Sequence, residues 1–232
     1  GNETVSSISP FCIKIEAYMR LNNIKFERRN TMAGRGTNGK LPCIELNGEQ
    51  VADSQIILLH LSKHFNIKDY DGNAEKTAYG RAIGRMADNH TFHVLMNYKK
   101  GAGGCMLKAM GGGHLPPIAI QILTPLVSCF FKNKVSKSIA NSIGSFKEEQ
   151  FKELLHIDFT ALQTILGNKK FLLGDAPTPA DCTVFSQIAA VHYMAPEEHN
   201  YVNELMTSVE FAPLKEYMAR FRDTVFKGDF HA

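Results

Sequence analysis

Apolar and polar positions change period several times within the first 66 residues. Ser9-Pro10 opens the run FCIKIEAYMRLNN, which sets Phe11, Ile15, Tyr18 and Met19 at helical spacing. Ser is a good N-cap and Pro a good first helical residue, and Asn22-Asn23 ends the pattern. IKFERRN at 24–30 alternates apolar and charged residues and predicts an exposed-sided strand. TMAGRGTNGK at 31–40 is polar and too short for a helix with its connections. LPCIEL and EQVADS then flank Asn47-Gly48, the strongest short-range hairpin signal. Asp53-Ser54 caps a last helix, QIILLHLSKHF, which ends near Asn66.

Beyond DYDGNAEK at 69–76, which reads as a polar linker, the spacing predicts helices over 75–99, 118–139, 146–166, 179–194 and 213–226. No strand pattern returns. The shift predicts an α/β domain over 1–68 joined to an all-α domain over 75–232. GAGGCMLKAMGGGHLPP at 101–117 places six glycines between 101 and 113, which disfavours helix and predicts a flexible connection. It lacks the spacing of a phosphate-binding loop.

PPIAIQILTPLVSCFF at 116–131 is too short to span a bilayer and holds Pro125. Two readings stay open for it: a buried helix with a solvated basic end, and a membrane-surface segment anchored by Lys132, Lys134 and Lys137.

The 232 residues, 44% hydrophobic and 21% charged, suffice for packed cores. A net charge of +3, with no basic run interleaved with aromatics, gives no footprint for nucleic acid. Cysteines at 12, 43, 105, 129 and 182 are odd in number and widely spaced, which fits a reducing compartment such as the cytoplasm. GNETVSSI shows neither the basic nor the apolar region of a signal peptide.

Two helix starts carry the candidate chemistry. Each offers unpaired N–H groups and positive potential, suited to an anionic sulfur beside Ser9 and to a carboxylate at Asp53-Ser54, with Asp53 left to meet an ammonium. Three motifs in order, SPFC at 9–12, GKLP at 39–42 and ADSQ at 52–55, resemble the N-terminal half of glutathione transferases and glutaredoxins. FLLGDAPTPADCTVF at 171–185 resembles the transferase sequence around a buried helix, with Thr178 as cap, Pro179 at the first position and Asp181 as capping-box acid. The resemblance covers about residues 6–226. In finer detail, through VHYMAPEE at 191–198 among others, it looks most like the failed-axon-connections, cadmium-responsive and metaxin-related group.

That resemblance implies a thioredoxin-like N-terminal domain and a helical glutathione-transferase domain, with glutathione as co-substrate. Ser9 falls at the reactive position, with Ser7 or Cys12 as alternatives. Leu41 and the cis-proline Pro42 would pair with the cysteinyl unit, Asp53 and Ser54 would hold the γ-glutamyl end, and Lys40 would reach the glycine carboxylate. The family's first strand has no counterpart before Ser9, so the chain is expected to be a fragment. The 31–40 loop is too short for the family's second helix, so one glutathione contact is expected to be absent.

Blander readings apply elsewhere. Ser9 also serves as a plain cap, Cys12 as a buried small residue, and Cys43 as a strand residue. His60 and His64 stand four apart without a third metal ligand, so no metal is expected. His90 and His93 would border an interdomain cleft, and Asp175, Asp181 and Glu148-Glu149 read as loop, cap and solvated face.

Two functions follow as expectations. One is detoxification-type conjugation of glutathione to small electrophilic, apolar compounds by a homodimer. The other is a non-catalytic, metaxin-like adaptor at a membrane surface such as the mitochondrial outer membrane.

Overall fold

The computed structural model describes residues 7–29, 41–100, 116–193 and 200–230. Lys40, Cys105, most of the glycine-rich run and most of VHYMAPEE lie outside the described residues. The elements are helix α1 (Pro10–Leu21), strands β1 (Cys43–Leu46) and β2 (Glu49–Ala52), helix α2 (Ser54–His64), and a 3-10 turn at Asp69–Gly72. A continuous helical rod follows, made of α3 (Ala74–Arg85), a π-helical turn (Met86–Thr91) and α4 (Phe92–Lys99). The rest is α5 (Pro117–Ser142), α6 (Glu148–Leu166), α7 (Pro179–His192), α8 (Tyr201–Thr207) and α9 (Ala212–Phe226).

The hairpin forms as its sequence requires. Asn47 and Gly48 take φ 53° and 82°, the left-handed pair of a two-residue primed turn, and Cys43 pairs with Ala52 and Leu46 with Glu49. Among the described residues the sheet has these two strands only.

The strand expected at 24–30 is absent over 24–29. Its alternation comes from side-chain anchors instead. Arg28 bonds the Glu16 carboxylate at 2.7 Å and Phe26 lies under the Arg20 guanidinium, so the segment is held against α1 and has no strand partner among the described residues.

α1 is buried on almost every side, because it lies between α2 and α7. Ile13, Ala17 and Tyr18 are inaccessible, and so are the polar Lys14 and nearly all of Glu16. α7 is the centre of the molecule: every residue from Ala180 to Val191 is buried. Its polar side chains are bonded internally, Thr183 to the Pro179 carbonyl at 3.0 Å and Ser186 to the Thr183 carbonyl at 2.8 Å.

Asp181 does more than cap. Its carboxylate accepts from Thr178 N (2.8 Å) and Oγ1 (2.6 Å), Leu172 N (2.9 Å) and the Tyr217 hydroxyl (3.1 Å). One buried acid thus ties the 171–178 loop and α9 to the start of α7.

The segment 69–76 is more tightly held than a linker. Tyr18 donates to Asp69 at 3.0 Å, and Tyr70 sits so close over α3 that a Cβ on Gly80 would lie 2.3 Å from its ring. A short helix, α8, escaped the periodicity because seven residues give too few repeats to read.

Candidate functional site

Ser9 adopts extended φ/ψ (−95°, 118°) and its carbonyl accepts from Cys12 N and Ile13 N at 3.1 Å each. Its own hydroxyl makes no cap bond. Instead the hydroxyls of Ser9 and Ser7 are hydrogen-bond neighbours of the Cys12 sulfur, and Ser7 Oγ accepts from Ser9 N at 3.2 Å. Burial pushes the Cys12 thiol up in spite of these two hydroxyls. A buried thiol of that kind is a poor nucleophile.

At the second helix start, Asp53 caps α2, its Oδ1 accepting from Gln55 N at 2.8 Å and Ile56 N at 3.3 Å. It does so at φ 74°, ψ 125°, a conformation costly for a residue with a side chain. Both cap bonds fall on one oxygen, so Oδ2 is left for an incoming cation. Ser54 is buried directly behind it. Leu41–Pro42 is cis, and Leu41 is 48% exposed.

What joins the two starts is a carboxylate that the sequence reading did not single out. Asp88, in the π-helical turn, accepts from Lys14 Nζ of α1 at 2.7 Å and from Gln187 Nε2 of α7 at 2.8 Å. Gln55 Nε2 of α2, two residues after the Asp53 cap, donates to it as well. Lys14 is fully buried, and desolvation lowers its pKa against the pull of Asp88. The signal was present: Lys14 and Gln187 are polar residues inside apolar helical runs, where only a buried partner explains them.

Lys99 was missed too. It is 3% exposed and its ammonium donates to the Ile8 carbonyl, one residue before Ser9, with burial holding its pKa down to about 8. Phe11 and Phe92 pack 4.9 Å apart across the same junction. Elsewhere, a crevice of about 620 Å³ opens between α4, α5 and the start of α6, bordered by Asn97, Lys100, Cys129 and Glu148.

The histidines have structural roles. His90 Nδ1 and Thr91 Oγ1 meet buried Asp158 at 3.0 and 2.6 Å, and His93 Nδ1 meets the Asn89 carbonyl at 2.8 Å. His60 and His64 stack at 6.1 Å, and no metal-holding cluster exists among the described residues. Glu148 takes part in packing, accepting from Asn97 Nδ2 at 3.0 Å.

Family models for the glutathione S-transferase N-terminal domain and C-terminal domain match residues 10–100 and 155–221. The chain belongs to the glutathione-transferase-like superfamily. Failed axon connections of Drosophila melanogaster is 29% identical over 95% of this chain and 55% of its own length, so the chain spans about half of that relative. Isoprene-epoxide–glutathione S-transferase of a Rhodococcus strain is 24% identical over 79% of this chain and 80% of its own.

Two solved structures share the glutathione-transferase fold. A glutathione transferase of Phanerochaete chrysosporium superposes with a TM-score of 0.61 at 16% identity, over 93% of this chain and 90% of its own. A glutathione S-transferase of Ceriporiopsis subvermispora, solved in complex with glutathione, gives 0.53 at 17% over 94% and 90%. This transferase-like chain therefore places its two helix starts in the glutathione-transferase fold, with a two-stranded sheet among the described residues of its N-terminal half.

Proposed function

We propose that this transferase-like chain binds glutathione between the starts of α1 and α2 and presents its thiolate to small electrophiles. The observation that carries the reading is the shared bonding of Lys14 and Gln55 to Asp88, which fixes one helix start against the other. Asp53 Oδ2 and Ser54 hold the γ-glutamyl end, and the backbone of Leu41 before Pro42 pairs with the cysteinyl unit. The family resemblance assigns the glycine carboxylate to Lys40, which lies outside the described residues. Ser9, or Ser7 beside it, donates to the sulfur.

A hydroxyl bond to a thiolate is charge-assisted, and the α1 N-terminus adds favourable potential. Catalysis is then electrostatic, with no covalent enzyme intermediate.

Retention on immobilised glutathione, abolished by Asp53→Ala, supports the binding half of the proposal. Turnover of an aryl halide, reduced roughly 10–100-fold in Ser9→Ala by loss of one charge-assisted bond, supports the catalytic half. A folded protein that ignores glutathione leaves the second reading, a non-catalytic adaptor of the same fold. The exposed apolar face of α5 favours that second reading.

A further inference from the structure

The two family models stop at residue 100 and resume at 155, so α5 is a part of this chain that neither accounts for. Its C-terminal third is anchored in the core through Val135 and Ile139. Its N-terminal half turns outward: Ile118, Ile122, Leu126 and Phe130 are 68%, 65%, 68% and 70% exposed. Spacing of four sets them on one stripe, and Lys134 takes the next place with Lys137 a turn further on, both exposed. No Asp or Glu occurs anywhere in Pro117–Ser142.

Single exposed apolar residues are ordinary, whereas a row of large ones marks a docking surface. The charge pattern selects the occupant. Two copies of α5 laid together would either oppose lysine to lysine or bury lysine against the apolar end of the stripe. An anionic lipid surface satisfies both halves, hydrocarbon for the stripe and headgroup phosphate for the lysines.

Length agrees. Ile118 to Phe130 extends about 18 Å along the helix, a row long enough to lie in the plane of a lipid interface. No described helix is long and apolar enough to cross a membrane. We propose that α5 is an interfacial anchor that seats this chain on anionic bilayers, the apolar stripe in the acyl boundary and Lys134 and Lys137 at the headgroups. It acts independently of the glutathione site.

Flotation of the full chain with phosphatidylcholine vesicles, with and without roughly 30 mol % phosphatidylserine, tests this. Binding to the anionic vesicles is expected. Ile122→Asp with Leu126→Asp, both at the surface, should lower it at least about tenfold with unfolding temperature unchanged. Lys134→Gln with Lys137→Gln should lower it about 25-fold, roughly fivefold per lysine.

Absence of flotation by folded protein overturns the proposal. So does equal binding by the Asp pair, or conversion of a dimer to a monomer by that pair with vesicle binding unaffected, which would assign the stripe to a second copy. Glutathione retention is measured on the same preparations as a separate readout, because none of the four substituted residues is assigned to the glutathione site.

Discussion

Asp53 carries two duties in one residue, and substitution separates them. Asp53→Asn keeps an oxygen for the Gln55 and Ile56 N–H groups but removes the charge, so it should unfold within about 0.5 kcal/mol of wild type in urea. Asp53→Ala also loses the cap and should cost about 1 kcal/mol more.

Lys99 gives a pH signature. Its folded pKa of about 8 lies below the free-chain value of about 10.4, so between those values the unfolded chain holds more protons. Stability contributed by this group is therefore present above pH ~10.4 and is lost as pH falls toward 8. The stability of wild type relative to Lys99→Met should rise between pH 8 and 9.5; a flat difference would contradict the burial argument.

Among the thiols, exposed Cys129 should alkylate well before Cys12, with buried Cys182 last. Peptide mapping by mass spectrometry reads that order.

Elements were legible in the sequence where local rules decide them. The Asn47-Gly48 hairpin, the Ser9-Pro10 and Asp53-Ser54 helix starts and the Thr178-Pro179-Asp181 cap all formed, because turn chemistry and capping act within four residues. The 24–30 segment misled, because the Arg28–Glu16 bond that shapes it joins residues twelve apart. Asp88 was invisible for a stronger version of the same reason: its partners lie at 14, 55 and 187.

That carboxylate supports an element-scale prediction. Asp88→Asn leaves the Lys14 ammonium buried without its counter-charge and should cost about 3–5 kcal/mol in urea unfolding. Pairing Asp88→Asn with Lys14→Met should recover much of the loss, since no unpaired charge is left buried and the asparagine keeps an acceptor oxygen for the Gln55 and Gln187 amides. Additive losses in that double-mutant cycle would show that the two do not act as a unit.

At the scale of the whole molecule, bonds and packing join the residues before position 68 to those after it. α1 buries its surface on α7, Tyr18 on Asp69, and Lys14 on Asp88, so the N-terminal part leans on the helical part throughout. Residues 1–72 expressed alone should lack a cooperative thermal transition, because α1 buries its surface on α7 and Lys14 pairs with Asp88, both beyond that piece. A sharp transition from that piece would reverse the view. The long reach of these contacts explains why the family could be recognised from local motifs while the coupling of its two helix starts could not.

The glutathione site proposed between the two helix starts is tested most directly by calorimetric titration of glutathione into wild type and Asp53→Asn. Saturable binding by wild type, weakened at least about tenfold in the folded variant through loss of a charge pair, is the predicted result. Equal heats from both proteins, or none from a folded wild type, would contradict the account.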